Sequence, residues 1–187
     1  MVQMNAQNDL FWELLKPEYR KAMLYCRKLM QDREKGNDLF QDSLVLAIQK
    51  FNQLKNNDAF RPWLYQVIIN KFKSLVRVSN KRKWLPFTQE SEVLLPAENP
   101  TNAQMAKIWI EKLFNVISSE EQALITLYEM EQWTISELAE LHKKSEGAIK
   151  LKLFRIRNKL KNEMVKLSKD NETSIKELSN FINAYVM

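Results

Sequence analysis

The sequence predicts an all-α fold: two small helical domains joined by a flexible linker. Three observations carry this. Only two glycines and five prolines occur in 187 residues, too few for the turn chemistry that hairpins and tight sheets require. Apolar residues recur at 4-3-4 spacing in several segments, which is the period of one helix face. Three of the five prolines fall within residues 84–102, where no period is sustained, and that marks a linker. Each half is long enough to bury its own helical core.

The elements follow in order. Residues 9–30 read as a helix from Leu10, Leu14, Leu15, Met23, Leu24 and Leu29, interrupted or kinked at Pro17. Residues 32–37, with Gly36, read as a turn. A helix over 38–51 puts Phe40, Leu44, Ala47 and Phe51 on one stripe and Asp38, Asp42, Val45 and Gln49 opposite. After a polar break at 55–58, a helix over 59–78 turns Phe60, Leu64, Val67, Ile68 and Leu75 inward and Gln66, Asn70, Lys73 and Arg77 outward. Lys71, Lys73, Arg77, Lys81, Arg82 and Lys83 make residues 71–83 basic with no acid among them, a candidate phosphate-contacting surface. Beyond the linker, a helix over 103–117 precedes an N-cap at Ser118 or Ser119 and a helix to about 131 with Ala123, Leu124, Leu127 and Tyr128.

Composition excludes several classes. The lone Cys26 cannot form an intramolecular disulfide, and the lone His142 lacks companions for a zinc site. No stretch approaches the roughly 20 apolar residues of a membrane span, and no basic flank followed by an apolar run opens the chain. A cytoplasmic protein without membrane insertion, metal or cofactor is expected. Neither a Gly-rich phosphate loop nor a nucleophile-base pairing around His142 is present, so no catalytic residue is assigned. The charge of +6 and pI near 9.3 suit an anionic partner without defining one.

The most informative segment lies near the C-terminal side. Thr134 to Glu137 fits a capping box that opens a short helix ending near Leu141. His142, Lys143 and Lys144 form a turn, and Ser145 caps a second helix in which Ile149, Leu153, Ile156 and Leu160 recur at 4-3-4 spacing. This is the helix-turn-helix pattern. Lys150, Arg157 and Lys161 lie on one flank of that stripe, and Lys152, Arg155 and Lys159 on the other. Such a helix fits a major groove, where Glu146 and Lys150 reach base edges.

Three segments taken in order resemble one family. They are Asp38-Leu39-Phe40-Gln41-Asp42, then Phe60-Arg61-Pro62-Trp63-Leu64 with Asn70, and then Ile135 to Ala139 leading to Ser145-Glu146-Gly147-Ala148-Ile149-Lys150. Together they resemble the extracytoplasmic-function sigma factors of the sigma-70 family, over about Leu10 to Leu160. The resemblance implies a region-2 domain (1–83), a linker (84–102), a region-4 helix-turn-helix domain (103–161) and a C-terminal extension (162–187). It implies core RNA polymerase and promoter DNA as partners, with an anti-sigma factor as an optional third. Asp38, Gln41 and Asp42 match the polymerase-contacting helix. Asn70 matches a reader of an extruded minus-10 base, with Lys71, Lys73 and Arg77 holding its backbone. Lys144, Ser145, Glu146, Gly147, Ala148, Lys150, Lys152 and Arg155 match the minus-35 contacts.

This chain departs from the family in three places. His142, Lys143 and Lys144 replace a turn that often holds glycine between apolar residues, Ser74 stands where many relatives carry an acid, and residues 162–187 extend past the match. In that extension Ile175, Leu178, Phe181, Ile182 and Tyr185 suggest an amphipathic helix. The alternative function is a stand-alone dimeric helix-turn-helix regulator, with an adaptor that contacts only proteins behind it.

Overall fold

The computed structural model describes residues 2–83 and 109–170. The linker reading and the amphipathic pattern of 175–185 lie outside the described residues, as does the start of the helix expected from 103. Among the described residues all regular structure is helical.

Helix α1 (Val2–Leu15) and α2 (Tyr19–Met30) are separated by a turn at Lys16, Pro17 and Glu18, where proline cannot continue the helical hydrogen bonding. Helix α3 (Arg33–Lys50) begins five residues earlier than the apolar period suggests. Asp32 is its N-cap, accepting the Lys35 N–H at 3.0 Å, so Gly36 lies within the first turn and not in a loop. Two short 3-10 turns, Phe51–Gln53 and Asn57–Ala59, lead into α4 (Phe60–Lys83). Phe11 seals this end of the bundle, edge-on to Phe51 at 5.3 Å and to Phe60 at 5.6 Å. Leu15, Tyr25, Leu39, Leu64, Ile68 and Ile69 fill its middle.

The second half starts with helical residues 109–114, here α5, followed by α6 (Ser119–Met130), α7 (Ile135–His142) and α8 (Glu146–Asp170). Ser118 and Thr134 both complete capping boxes. The Ser118 N–H donates to Glu121 at 2.8 Å and the Glu121 N–H returns to Ser118 Oγ at 3.2 Å; Thr134 and Glu137 repeat the exchange at 2.7 and 3.2 Å. Helix α8 runs unbroken past Leu160, because Leu167 packs with Trp109 and Leu113 of α5.

One apolar core runs through both halves. Tyr25 donates its hydroxyl to the Ala123 carbonyl at 3.1 Å, and Gln122 donates to the Leu29 carbonyl at 2.8 Å. Tyr65 meets the buried Trp133 ring at 4.8 Å, and the Arg61 guanidinium lies over that same ring at 4.2 Å. Arg61 also pairs with Glu137, and Lys28 pairs with Glu131 at 2.9 Å.

Candidate functional site

Helix α7, a three-residue turn and α8 form the helix-turn-helix, seated on α6. The turn closes by left-handed geometry at Lys143, with φ 52 and ψ 47. The Lys143 N–H donates to Glu140 at 3.1 Å, and the Lys144 N–H reaches back to Ala139 at 3.0 Å, the bond pair of a Schellman motif. Ser145 then opens α8 by accepting the Ala148 N–H at 3.2 Å.

The cations of the turn and of α8 differ in whether they reach acids of α6. Lys152 is bonded to Glu120, Arg157 to Glu129 at 2.7 Å and Lys159 to Glu121 at 2.7 Å; these three fasten α8 to α6. Lys144, Lys150 and Arg155 are exposed, as are Ser145, Glu146, Gly147 and Ala148. Lys150 lies 3.8 Å from Glu146 one turn earlier, a pairing worth little in water. The structure therefore gathers seven of the eight sequence-derived minus-35 residues on exposed surface and turns Lys152 toward α6.

On α4, Asn70 and Lys73 are exposed on the face that carries Arg77. Asn70 accepts a hydrogen bond from Gln66 at 3.1 Å, which leaves its amide nitrogen available as a donor. Lys71 lies apart from that face and pairs with Asp42 of α3 at 2.9 Å. Asp38, Gln41 and Asp42 are exposed along α3, and Val45 and Ile48 continue the same surface at 55% and 37% exposure. The amphipathic pattern already placed Val45 there; Ile48 was missed because an isolated apolar residue carries no surface signal.

No local pattern in the sequence shows that the candidate cations of α4 and α8 meet at one acid. Glu120 bonds Lys152 and stands 3.8 Å from Lys73. The hydrogen bond from Lys152 foremost, aided by the charges of Lys152 and Lys73, holds the Glu120 carboxyl below its usual range despite partial burial. His142 faces Lys152, Glu120 and Lys73, and burial together with the nearby Lys152 charge pushes its pKa below the ordinary 6.5. Among the described residues no cluster of three or more His, Cys, Asp and Glu suits a metal ion, and no helix is long and apolar enough to cross a membrane.

A capped short helix, a left-handed turn and an outward basic helix, carried beside a second all-helical unit, define a helix-turn-helix DNA-binding protein. Comparison with known proteins narrows the class. The family model for sigma-70 region 2 matches residues 14–82 and that for sigma-70 region 4 matches residues 107–160. The chain is 21% identical over 139 residues to the ECF RNA polymerase sigma-E factor of Haemophilus influenzae, covering 68% of this chain and 73% of that one. It is 20% identical over 150 residues to the ECF RNA polymerase sigma factor SigM of Mycobacterium tuberculosis, covering 80% and 74%. In fold it is similar to the sigma factor RpoE crystallised with the anti-sigma factor NepR from Bartonella quintana, with a TM-score of 0.60, 23% identity and coverage of 82% of this chain and 96% of that one. The chain belongs to the sigma-70 family, as an RNA polymerase sigma factor of the extracytoplasmic-function group.

Proposed function

We propose that this sigma factor directs core RNA polymerase to promoters by reading a minus-10 element with α4 and a minus-35 element with α8, without catalysing a reaction of its own and within the cytoplasm. The observation that carries the reading is the shared outward face of Asn70, Lys73 and Arg77. An uncharged amide beside two cations suits an unstacked base followed by phosphates. Asp38, Gln41 and Asp42 offer an acidic surface to a basic polymerase surface, and Lys71 steadies Asp42 from α4. Lys144, Lys150 and Arg155 contact duplex phosphates and base edges, with Ser145, Glu146, Gly147 and Ala148 at the entry of α8. Lys152 joins them only after leaving Glu120.

Engagement of the minus-10 element by α4 requires the junction to open, because Lys73 stands 3.8 Å from Glu120 of α6 in the closed arrangement. Core polymerase is the partner that separates the halves, and an anti-sigma factor is a second partner that holds them out of use. The crystallised complex of a sigma factor of similar fold with an anti-sigma factor supports including that partner.

The test is transcription by core polymerase plus this protein, on promoters randomised through the minus-10 element. Factor-dependent starts are expected, with Asn70→Ala changing the preferred base at one position and Lys73→Ala weakening all promoters alike. The absence of any factor-dependent start would overturn the reading. Retention of wild-type base preference by Asn70→Ala would remove Asn70 from it.

A further inference from the structure

Helix α8 carries two stripes of the same spacing. Ile149, Leu153 and Ile156 are buried against α6 and α7. Gly147, Leu151, Phe154 and Asn158 repeat the 4-3-4 pattern two positions out of step and are all exposed. Two positions at about 100° each rotate the second stripe by about 200°, so it faces directly away from the domain.

Its two large members are apolar. Leu151 is 49% exposed and Phe154 is 60% exposed, on a helix whose remaining outward residues are mostly charged or polar. Cations border them, with Lys150 and Lys161 on one side and Arg155 on the other, all exposed. Gly147 heads the stripe. A Cβ there would meet nothing within 4 Å, and its φ is not positive. Neither packing nor backbone geometry inside the molecule calls for glycine at this position, although glycine is among the poorest helix formers. Its absent side chain leaves space only on the outside.

We propose that Leu151 and Phe154 read the 5-methyl groups of thymines in the duplex minus-35 element, with Gly147 allowing α8 to approach the base edges closely. This rests on the reading that α8 enters the major groove. The thymine methyl is the apolar group that a major groove presents in its base-edge code, and aliphatic or phenyl contact with it separates thymine from cytosine. The bordering cations neutralise phosphates and fix the register, a task that carries no sequence information. An apolar pair framed by cations is matched by methyl groups framed by phosphates. From Gly147 to Phe154 the stripe spans about 10 Å along the axis, within the roughly 12 Å width of the groove.

The test uses holoenzyme assembled from core polymerase and the full chain. A preferred minus-35 element is first selected from a randomised pool, and each thymine in it is then replaced by deoxyuridine, which removes the methyl and nothing else. The wild type is expected to lose about fourfold in affinity at one or two positions, the loss equivalent to one buried methylene-sized group. Leu151→Ala should lose the discrimination at one of these positions and Phe154→Ala at its neighbour. Gly147→Ala should raise thermal stability yet weaken the element, a split that a purely structural role does not give. Equal binding of thymine and deoxyuridine at every position, a selected element without thymine, or full discrimination in both alanine variants would overturn the inference while leaving minus-35 reading intact. A holoenzyme with no minus-35 preference would overturn both.

Discussion

Lys143 occupies a left-handed backbone conformation with a full side chain, at φ 52. An L-residue in this region is strained by about 1 kcal/mol through contact of Cβ with the following carbonyl. The strain is tolerated because the turn delivers two hydrogen bonds that close α7 and aim α8. Lys143→Gly removes the Cβ, offset in part by the greater freedom of glycine in the unfolded chain. The expected outcome is a gain of about 0.5–1 kcal/mol, read as a higher urea midpoint at unchanged slope; a lower midpoint would contradict the strain. The sequence raised this position as a question because it lacks the glycine that relatives often carry. It offered no signal for Gln132, which is also left-handed at φ 56, because glutamine has no preference for that region.

Element by element, the faces of α3, α4 and α8 were legible because each is amphipathic, and burial follows the apolar stripes. What misled was Gly36, which reads as a turn residue by its conformational freedom. Its reason is instead a close helix crossing: a Cβ there would lie 2.4 Å from Arg27 Cα and 2.8 Å from Arg27 N. Both are backbone atoms, so no rotamer change relieves the overlap, and α2 would have to move from α3. Alanine is the better helix former by about 1 kcal/mol, but overpacking against backbone costs roughly 1–3 kcal/mol, and the steric effect wins. Gly36→Ala is thus expected to lower the denaturation midpoint and, by tilting the α3 face that carries the proposed polymerase contacts Asp38 and Asp42, to weaken core polymerase binding. A midpoint at or above wild type would show that the crossing relaxes freely. The orientation of Lys152 was equally illegible, since its partner Glu120 lies 32 residues away and a helical period says nothing about which cations find acids on a neighbouring helix.

At the scale of the whole molecule, the contacts that join the halves link residues about 100 positions apart, such as Tyr25 with Ala123 and Lys28 with Glu131, and no local pattern announces them. Their charged part is expected to respond to pH in two windows. His142 has a pKa depressed by burial, by Lys152 of its own half and by Lys73 of α4, so opening, which removes the Lys73 charge, favours its protonation. The closed form is fully favoured above about 6.5 and loses ground as pH falls through that value toward the depressed one. A protonated His142 also adds positive charge beside Lys73 and Lys152, which compete for the single carboxylate of Glu120. Glu120 is itself held below its ordinary 4.5, foremost by Lys152 of its own half and in smaller part by Lys73 across the junction; only the Lys73 part favours the closed form, and it persists above that value and is lost as pH falls through the lower one. Acidification therefore opens the junction first through the histidine and then through the carboxylate. Energy transfer between dyes placed at Val45 and Arg155, both exposed and outside these contacts, should decrease between pH 7 and pH 5.5 in the free protein. His142→Gln should abolish that upper transition and keep the one below pH 4.5, whereas Glu120→Gln should lower the transfer already at pH 7 and raise affinity for minus-35 duplex without polymerase. Transfer that is flat from pH 7 to 5.5 in the wild type, or unchanged at pH 7 by Glu120→Gln, would show that the apolar contacts of Trp133, Tyr65 and Tyr25 hold the halves together without help from these charges.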